Sequence, residues 1–314
     1  MTPDASTVTM WSIVGLPLAE AIVVGLLGGL VGCLAVLDRR VFFTESVTHA
    51  TFPGAVLGVV AAVQLGAGFG AESRHAILSA ALFIGAGVMC LPMAWLMHGL
   101  ARVPGQSSQA AAGIVLTFGF ALGYFLIKWF QPLPLQIEGF LTGSILHVGP
   151  VDVAAAAIVL ALAVAAVAVA GRRIVFHAFD DPGFRAAGLS GGAAEGVILV
   201  LIVAAIVVLI PAVGTILPVA LVAAPAAALA PSLRSWRTLL VAAPLSGAAV
   251  SVAGLLLAVA FDLSAGGMIA LCAGALYVVA ALVRRAAPRR RARAAGRAAA
   301  AVPGDAASAA TLAE

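Results

Sequence analysis

Apolar residues run through this chain in long blocks, not at the alternate spacing of a strand or the narrow stripe of a surface helix. Blocks close to the roughly 20 residues that cross a bilayer as a helix fall at 12–37, 49–69, 75–97, 109–130, 148–171, 193–211, 213–231, 237–260 and 266–283. The pattern predicts an all-α, polytopic membrane bundle of eight to nine transmembrane helices over residues 1–285. Pro211, Gly214, Pro218 and Pro225 interrupt the sixth and seventh blocks. That pair therefore reads as two helices, one broken helix or a re-entrant piece, each viable where protein covers the freed backbone groups. Small residues recur at packing spacing in Gly25 and Gly29, Gly28 and Gly32, Gly54 and Gly58, and Gly119 and Gly123, as close helix approach in lipid requires.

Composition sharpens this. The 314 residues are 63% hydrophobic and 10% charged, against about 25% charged in soluble domains, and the mean hydropathy is +1.16. A soluble enzyme with a single anchor is excluded. Much of the net charge of +4 comes from Arg284, Arg285, Arg289, Arg290, Arg291, Arg293 and Arg297. Following the last apolar block, they read as a positive-inside signal and a contact for membrane lipid, not as a nucleic-acid face. If nine segments cross, Arg39, Arg40, Arg102, Arg172, Arg173, Arg185, Arg234 and Arg237 join them on the cytoplasmic side, with Arg74 and Lys128 as exceptions. The tail, 286–314, lacks apolar periodicity and is expected to be disordered or loosely helical on the membrane. Cys33, Cys90 and Cys272 show no pairing or metal-ligand spacing and are expected to be packing residues.

One stretch breaks the apolar pattern with chemistry: FFTESVTHATFPG, residues 42–54. On a helix Glu45 and His49 project one turn apart from one face. Hard oxygen with borderline nitrogen suits a first-row divalent cation such as zinc, manganese or iron. Thr44, Ser46 and Thr48 favour a hydrated lining, and Pro53 with Gly54 predicts a kink or loosened turn just beyond. The plainer alternative is a salt bridge from Glu45 to Arg39 or Arg40, with His49 bonded to a neighbouring helix.

A second stretch, DDPGFRAAGL at 180–189, reads as a short helix outside the membrane. Asp180 or Asp181 can cap it, Pro182 fits the first position and Gly188 can end it. Phe184, Arg185 and Leu189 would let it dock in a groove on a cytoplasmic partner, or it simply joins two spans. His75, His98, His147 and His177 lie near block ends, with His147 the best reserve ligand, and Asp262 is expected to cap the last helix. No P-loop, GxSxG or HExxH pattern occurs, so the chain supplies no ATPase of its own and is not read as an enzyme.

In order and spacing these motifs resemble the permease subunits of ABC-type manganese, zinc and iron importers. The likeness rests on LDRRVFFTESVTHATFPGAVLGV (37–59), FLTGSIL (140–146), AFDDPGFRAAGL (178–189) and two later apolar stretches, and covers about 11–285. It implies a dimeric pore, homodimeric or heterodimeric, with cytoplasmic ABC ATPase subunits and an extracytoplasmic metal-binding protein. It also implies a coupling role for 180–189 and metal handling by Glu45 and His49, with no permanently bound cofactor. The chain departs from the family in having Glu45 and Thr48 where Asp and Ser are more usual, and Thr142 where an aromatic is common. Rival expectations are a proton-coupled secondary metal transporter, an ABC permease for a metal chelate such as a siderophore, and a scaffold subunit.

Overall fold

Reverse turns and proline positions decide how the apolar blocks become separate rods. The computed structural model describes residues 5–65, 71–132, 145–214, 218–233 and 235–300, and among these there are helices and turns but no strand. The helices are α1 (Ala5–Leu37), α2 (Val41–Leu65), α3 (Ala71–Ala101), α4 (Ser108–Trp129), α5 (Pro150–Phe179), α6 (Asp181–Ala186), α7 (Gly191–Val213), α8 (Pro218–Leu229), α9 (Trp236–Phe261) and α10 (Ala265–Ala300). Eight carry stretches long and apolar enough to cross a membrane, and α8 with its 3-10 extension to Ser232 is a shorter apolar rod. The prolines and glycines of the sixth and seventh blocks thus make two helices, parted at Gly214, whose φ of 82° suits glycine.

Two boundaries move. The second helix starts at Val41, not 49, so the polar stretch holding Glu45 and His49 lies inside it. A tight reversal makes this possible: Arg39 takes φ 56°, and the Arg40 N–H donates to the Ala35 carbonyl at 2.7 Å. The helix α5 continues to Phe179, past the expected end at 171. Asp262 does not cap the last helix; in the left-handed region it ends α9, a conformation Asp tolerates better than most residues.

α1 is the most buried span and packs against α5, α7, α8 and α9. α2 packs on α3 and α4, and α7 contacts both groups. The expected small-residue pairs make these contacts. A Cβ on Gly29 would lie 2.3 Å from the Ala243 carbonyl oxygen on α9, one on Gly32 would meet Val222 of α8, and one on Gly58 would lie 2.1 Å from the Ala81 carbonyl oxygen on α3. Backbone, not a flexible side chain, stands opposite each. Cys33 and Cys90 are buried and donate to the carbonyls of Leu239 and Ala86, which fits packing roles. The Arg284 Nη1 donates to the Ala228 carbonyl at 2.6 Å and so ties α10 to the end of α8.

The links between α1 and α2, α3 and α4, and α5 and α7 meet around shared cavities at one end, which carries Arg39, Arg40 and Arg185 and is called the basic end below.

Gly29→Ala and Gly58→Ala are each expected to destabilise the detergent-solubilised protein by about 1–3 kcal/mol, the usual range for forced overpacking. Gly99→Ala, with nothing within 4 Å of the added carbon, is expected to leave it unchanged or slightly stabilised. Thermal unfolding of the three variants checks this.

Candidate functional site

α2 holds Glu45 and His49 one turn apart, as the spacing predicts. The His49 Nδ1–H donates to the Glu45 backbone carbonyl at 3.1 Å, since that oxygen can only accept. This sets the tautomer and leaves Nε2 as the ring's acceptor, the arrangement a metal-binding imidazole needs. The His49 ring tilts 58° against Phe120 of α4, with centroids 5.8 Å apart. Phe120 in turn stacks on Phe52, also at 5.8 Å. Phe52 fits where α4 has Gly123, since a Cβ there would lie 2.2 Å from its ring. An aromatic shelf of Phe120 from α4 and Phe52 from α2 therefore supports the imidazole.

The neighbouring hydroxyls do something other than line a hydrated path. Thr44, Ser46, Thr48 and Thr51 are all 0% exposed. The Thr48 and Thr51 hydroxyls donate to carbonyls of their own helix at 2.8 and 2.6 Å. Ser46 Oγ lies 2.7 Å from the Ala112 carbonyl and pins α2 to α4. Glu45 and His49 are instead half-buried, on the side of α2 that meets the partly exposed Phe120. The helix runs on through Pro53 and Gly54, and Gly54 is used for close approach to Gly85 of α3. Proline has no N–H to offer the His49 carbonyl, so the backbone oxygen of the imidazole's own residue loses its helical donor.

Arg40 does not pair with Glu45. Its Nε donates to Asp38 Oδ2 at 2.6 Å and its Nη2 to Glu195 Oε1 of α7. Burial pushes the Asp38 carboxyl above the usual range, with Glu195 adding to the rise, while Arg40 and His177 pull it back down. A cavity of about 590 Å³ opens beside this network, bordered by Phe43, His98 and Gln109 as well.

At the same end, α6 forms where the sequence places it. Asp180 is the cap, its Oδ1 accepting from the Gly183 N–H at 2.9 Å; the Asp181 side chain lies outside the described residues. Gly188 ends the turn with φ 75°, and the Leu189 N–H returns to the Phe184 carbonyl. Phe184 does not face outward: it is 2% exposed, with its ring centroid 5.4 Å from both Phe176 and His177. Pro182, Arg185 and Gly188 form the exposed face, with Leu189 half-buried. A cavity of about 450 Å³ is lined by Arg185 and His177 together with Asp38, Arg40 and Glu195.

The side chains of His75 and His147, and residues 140–144 with Thr142, lie outside the described residues. His98 is exposed at the cavity edge. Sequence reasoning gave no role to Asp38, although it lies in the 37–59 stretch, or to Glu195, which no motif marks. It also passed over Glu20, although a carboxylate inside an apolar block was itself a signal. Among the described residues no three His, Cys, Asp or Glu side chains gather into a metal cage.

Against known proteins, residues 12–284 match the model of the ABC 3 transport family. The manganese transport system membrane protein MntC of Halalkalibacterium halodurans is 25% identical over 263 residues, 84% of each chain. The zinc transport system membrane protein TroC of Treponema pallidum is 30% identical over 234 residues, 73% of this chain and 74% of its own. The solved structure of PsaBC from Streptococcus pneumoniae in complex with Fab superposes with a TM-score of 0.72 at 27% identity, covering 85% of this chain and 90% of that one. With eight spans of crossing length and this match over most of its length, the protein is a multi-pass cell-membrane protein and belongs to the ABC 3 transport family.

Proposed function

We propose that this chain is the permease subunit of an ATP-driven importer of a divalent transition metal ion, zinc, manganese or iron, and that Glu45 and His49 are transient ligands on its path. One observation carries the site assignment: a carboxylate and an imidazole with its Nε2 free to accept share one half-buried face of a membrane helix. Ionisable side chains inside a bilayer are expensive unless they face a partner or a water-filled path. The relatives named for manganese and zinc transport give the cargo class. Two side-chain ligands from one chain hold an ion loosely, and a second permease copy related by a two-fold axis would bring the set to four. Phe120 of α4, beside the imidazole, is 40% exposed and so open to that copy.

The basic end is the cytoplasmic one in this reading. There α6 is the docking element for cytoplasmic ABC ATPase subunits, meeting them through Pro182, Arg185 and Gly188, while Phe184 roots it in the bundle. Movement of α6 reaches α2 through His177, Asp38 and Arg40, the last residue before the helix that holds the metal pair. An extracytoplasmic metal-binding protein delivers the ion at the opposite end. The chain itself is a transport subunit and no enzyme.

Glu45→Ala and His49→Ala are each expected to lower metal uptake by about tenfold to a hundredfold or more, in line with the loss of ligand-supporting groups elsewhere. Protein abundance in the membrane should not change, and wild-type uptake by both variants would remove the assignment. In the assembled transporter, Arg185→Glu is expected to reduce ATP hydrolysis and uptake together while metal binding by the purified permease stays intact. Phe184→Ala should do the same by loosening α6, because deleting a buried aromatic costs about 3–5 kcal/mol. Parallel ATPase, uptake and binding measurements on the two variants separate docking from ligation.

A further inference from the structure

The close contacts between helices sort them into two bodies. In one, α2 packs on α3 and α4, and a Cβ on Gly54 would lie 2.3 Å from the Gly85 carbonyl oxygen. In the other, α1 packs on α5, α8 and α9, with Gly25 and Gly29 set against α9 and Gly28 and Gly32 against α8. α10 joins this second body where a Cβ on Gly254 would lie 2.6 Å from Ile269 Cα, and α7 joins it by packing on α1 and α5. Among the described glycines, every one whose added Cβ would fall under 3 Å from another helix meets a helix of its own body. Where the bodies face each other, a Cβ on Gly87 of α3 would lie 3.8 Å from Val207 Cγ2 of α7, an ordinary contact. Backbone approach fixes each body inside, whereas side chains make the seam, the arrangement in which packed units shift as wholes.

At the basic end the bodies are joined by the turn from Asp38 to Arg40. Arg39 takes φ 56° there, a conformation that a non-glycine residue keeps only where its surroundings hold it. Arg40 supplies the hold. It is the last residue before α2; its Nε donates to Asp38 Oδ2 within the turn at 2.6 Å, and its Nη2 donates to Glu195 Oε1 of α7. The second bond crosses the seam. One guanidinium thus fixes both the turn and the position of the start of α2 against the other body.

The seam is hollow beside this contact. The cavity of about 590 Å³ is walled by Phe42 and Phe43 of α2, Met97 and His98 of α3, Gln109 of α4 and Leu199 of α7. Phe42 lies three residues before Glu45 and seven before His49, so the three share one side of α2. The cavity therefore lies at the foot of the face that carries the metal pair.

We propose that the Asp38–Arg40 turn is a hinge between the two bodies and that Arg40, held by Glu195, locks it. Release lets α2, α3 and α4 tilt from α7 and widens the cavity below Glu45 and His49. The hinge rests on the metal path for its purpose but not for its test, which needs no metal, ATPase or uptake. The full-length permease is purified in detergent with Met97→Cys, which puts a thiol on the cavity wall at a side chain only 8% exposed. Its rate of alkylation by a maleimide, followed by mass spectrometry, reads how often the seam opens. Adding Glu195→Gln is expected to raise that rate by about tenfold or more, the worth of a hydrogen bond between charged groups. Arg40→Gln should raise it at least as far, and Glu195→Gln on top of Arg40→Gln should add nothing, because the bond is already gone. Cys33, buried between α1 and α9, should stay unreactive in every variant, which separates opening of the seam from unfolding. Should Met97→Cys fail to fold, Leu199→Cys on the opposite wall gives the same readout. An unchanged rate in a folded Glu195→Gln, or a rise matched at Cys33, would overturn the proposal. Failure of the metal assignment would instead show in the uptake of Glu45→Ala and His49→Ala, on which the alkylation rate does not depend.

Discussion

Close backbone approach at small residues is the constraint on which the rest of this bundle depends. Lipid tails are as apolar as leucine, so helices in a bilayer gain little by burying apolar side chains against one another. They gain by fitting closely, and α1 does so with Gly25 and Gly29 against α9 and with Gly28 and Gly32 against α8. Gly54 and Gly58 do the same for α2 against α3. These contacts set the register of the helices, and register decides which polar side chains meet.

That register gives the polar residues of α2 different fates although they are consecutive. Thr44, Ser46 and Thr48 turn inward and satisfy their hydroxyls on carbonyls of α2 and α4, which makes burial tolerable. Glu45 and His49 occupy the other side, where the aromatic shelf of Phe52 and Phe120 supports the imidazole. The polarity of the stretch therefore serves packing on one face and presents chemistry on the other.

At the basic end, charge performs the work that small residues perform in the membrane. Arg40 joins the turn after α1 to α7 through Asp38 and Glu195, and it is the residue from which α2 departs. The rings of Phe176, His177 and Phe184 fix α6 beside it. These contacts tie the start of α2 to α7 and root α6 on the end of α5.

The all-helical membrane class, the spans, the glycine contacts and the same-face placement of Glu45 and His49 were legible in the sequence. Each depends on the period of a helix or the length of an apolar block, and both are local properties. The short helix at 181–186 was legible for the same reason, because an Asp cap, a Pro and a Gly act within a few residues of themselves. The start of α2 at Val41, the inward turn of Phe184 and the pairing of Arg40 with Glu195 were not. They depend on which helices lie side by side, a choice between residues as far apart as 40 and 195. Burial of Glu20 belongs to the same group: a sequence shows a carboxylate in an apolar block, but only packed neighbours decide whether it meets lipid, water or other helices.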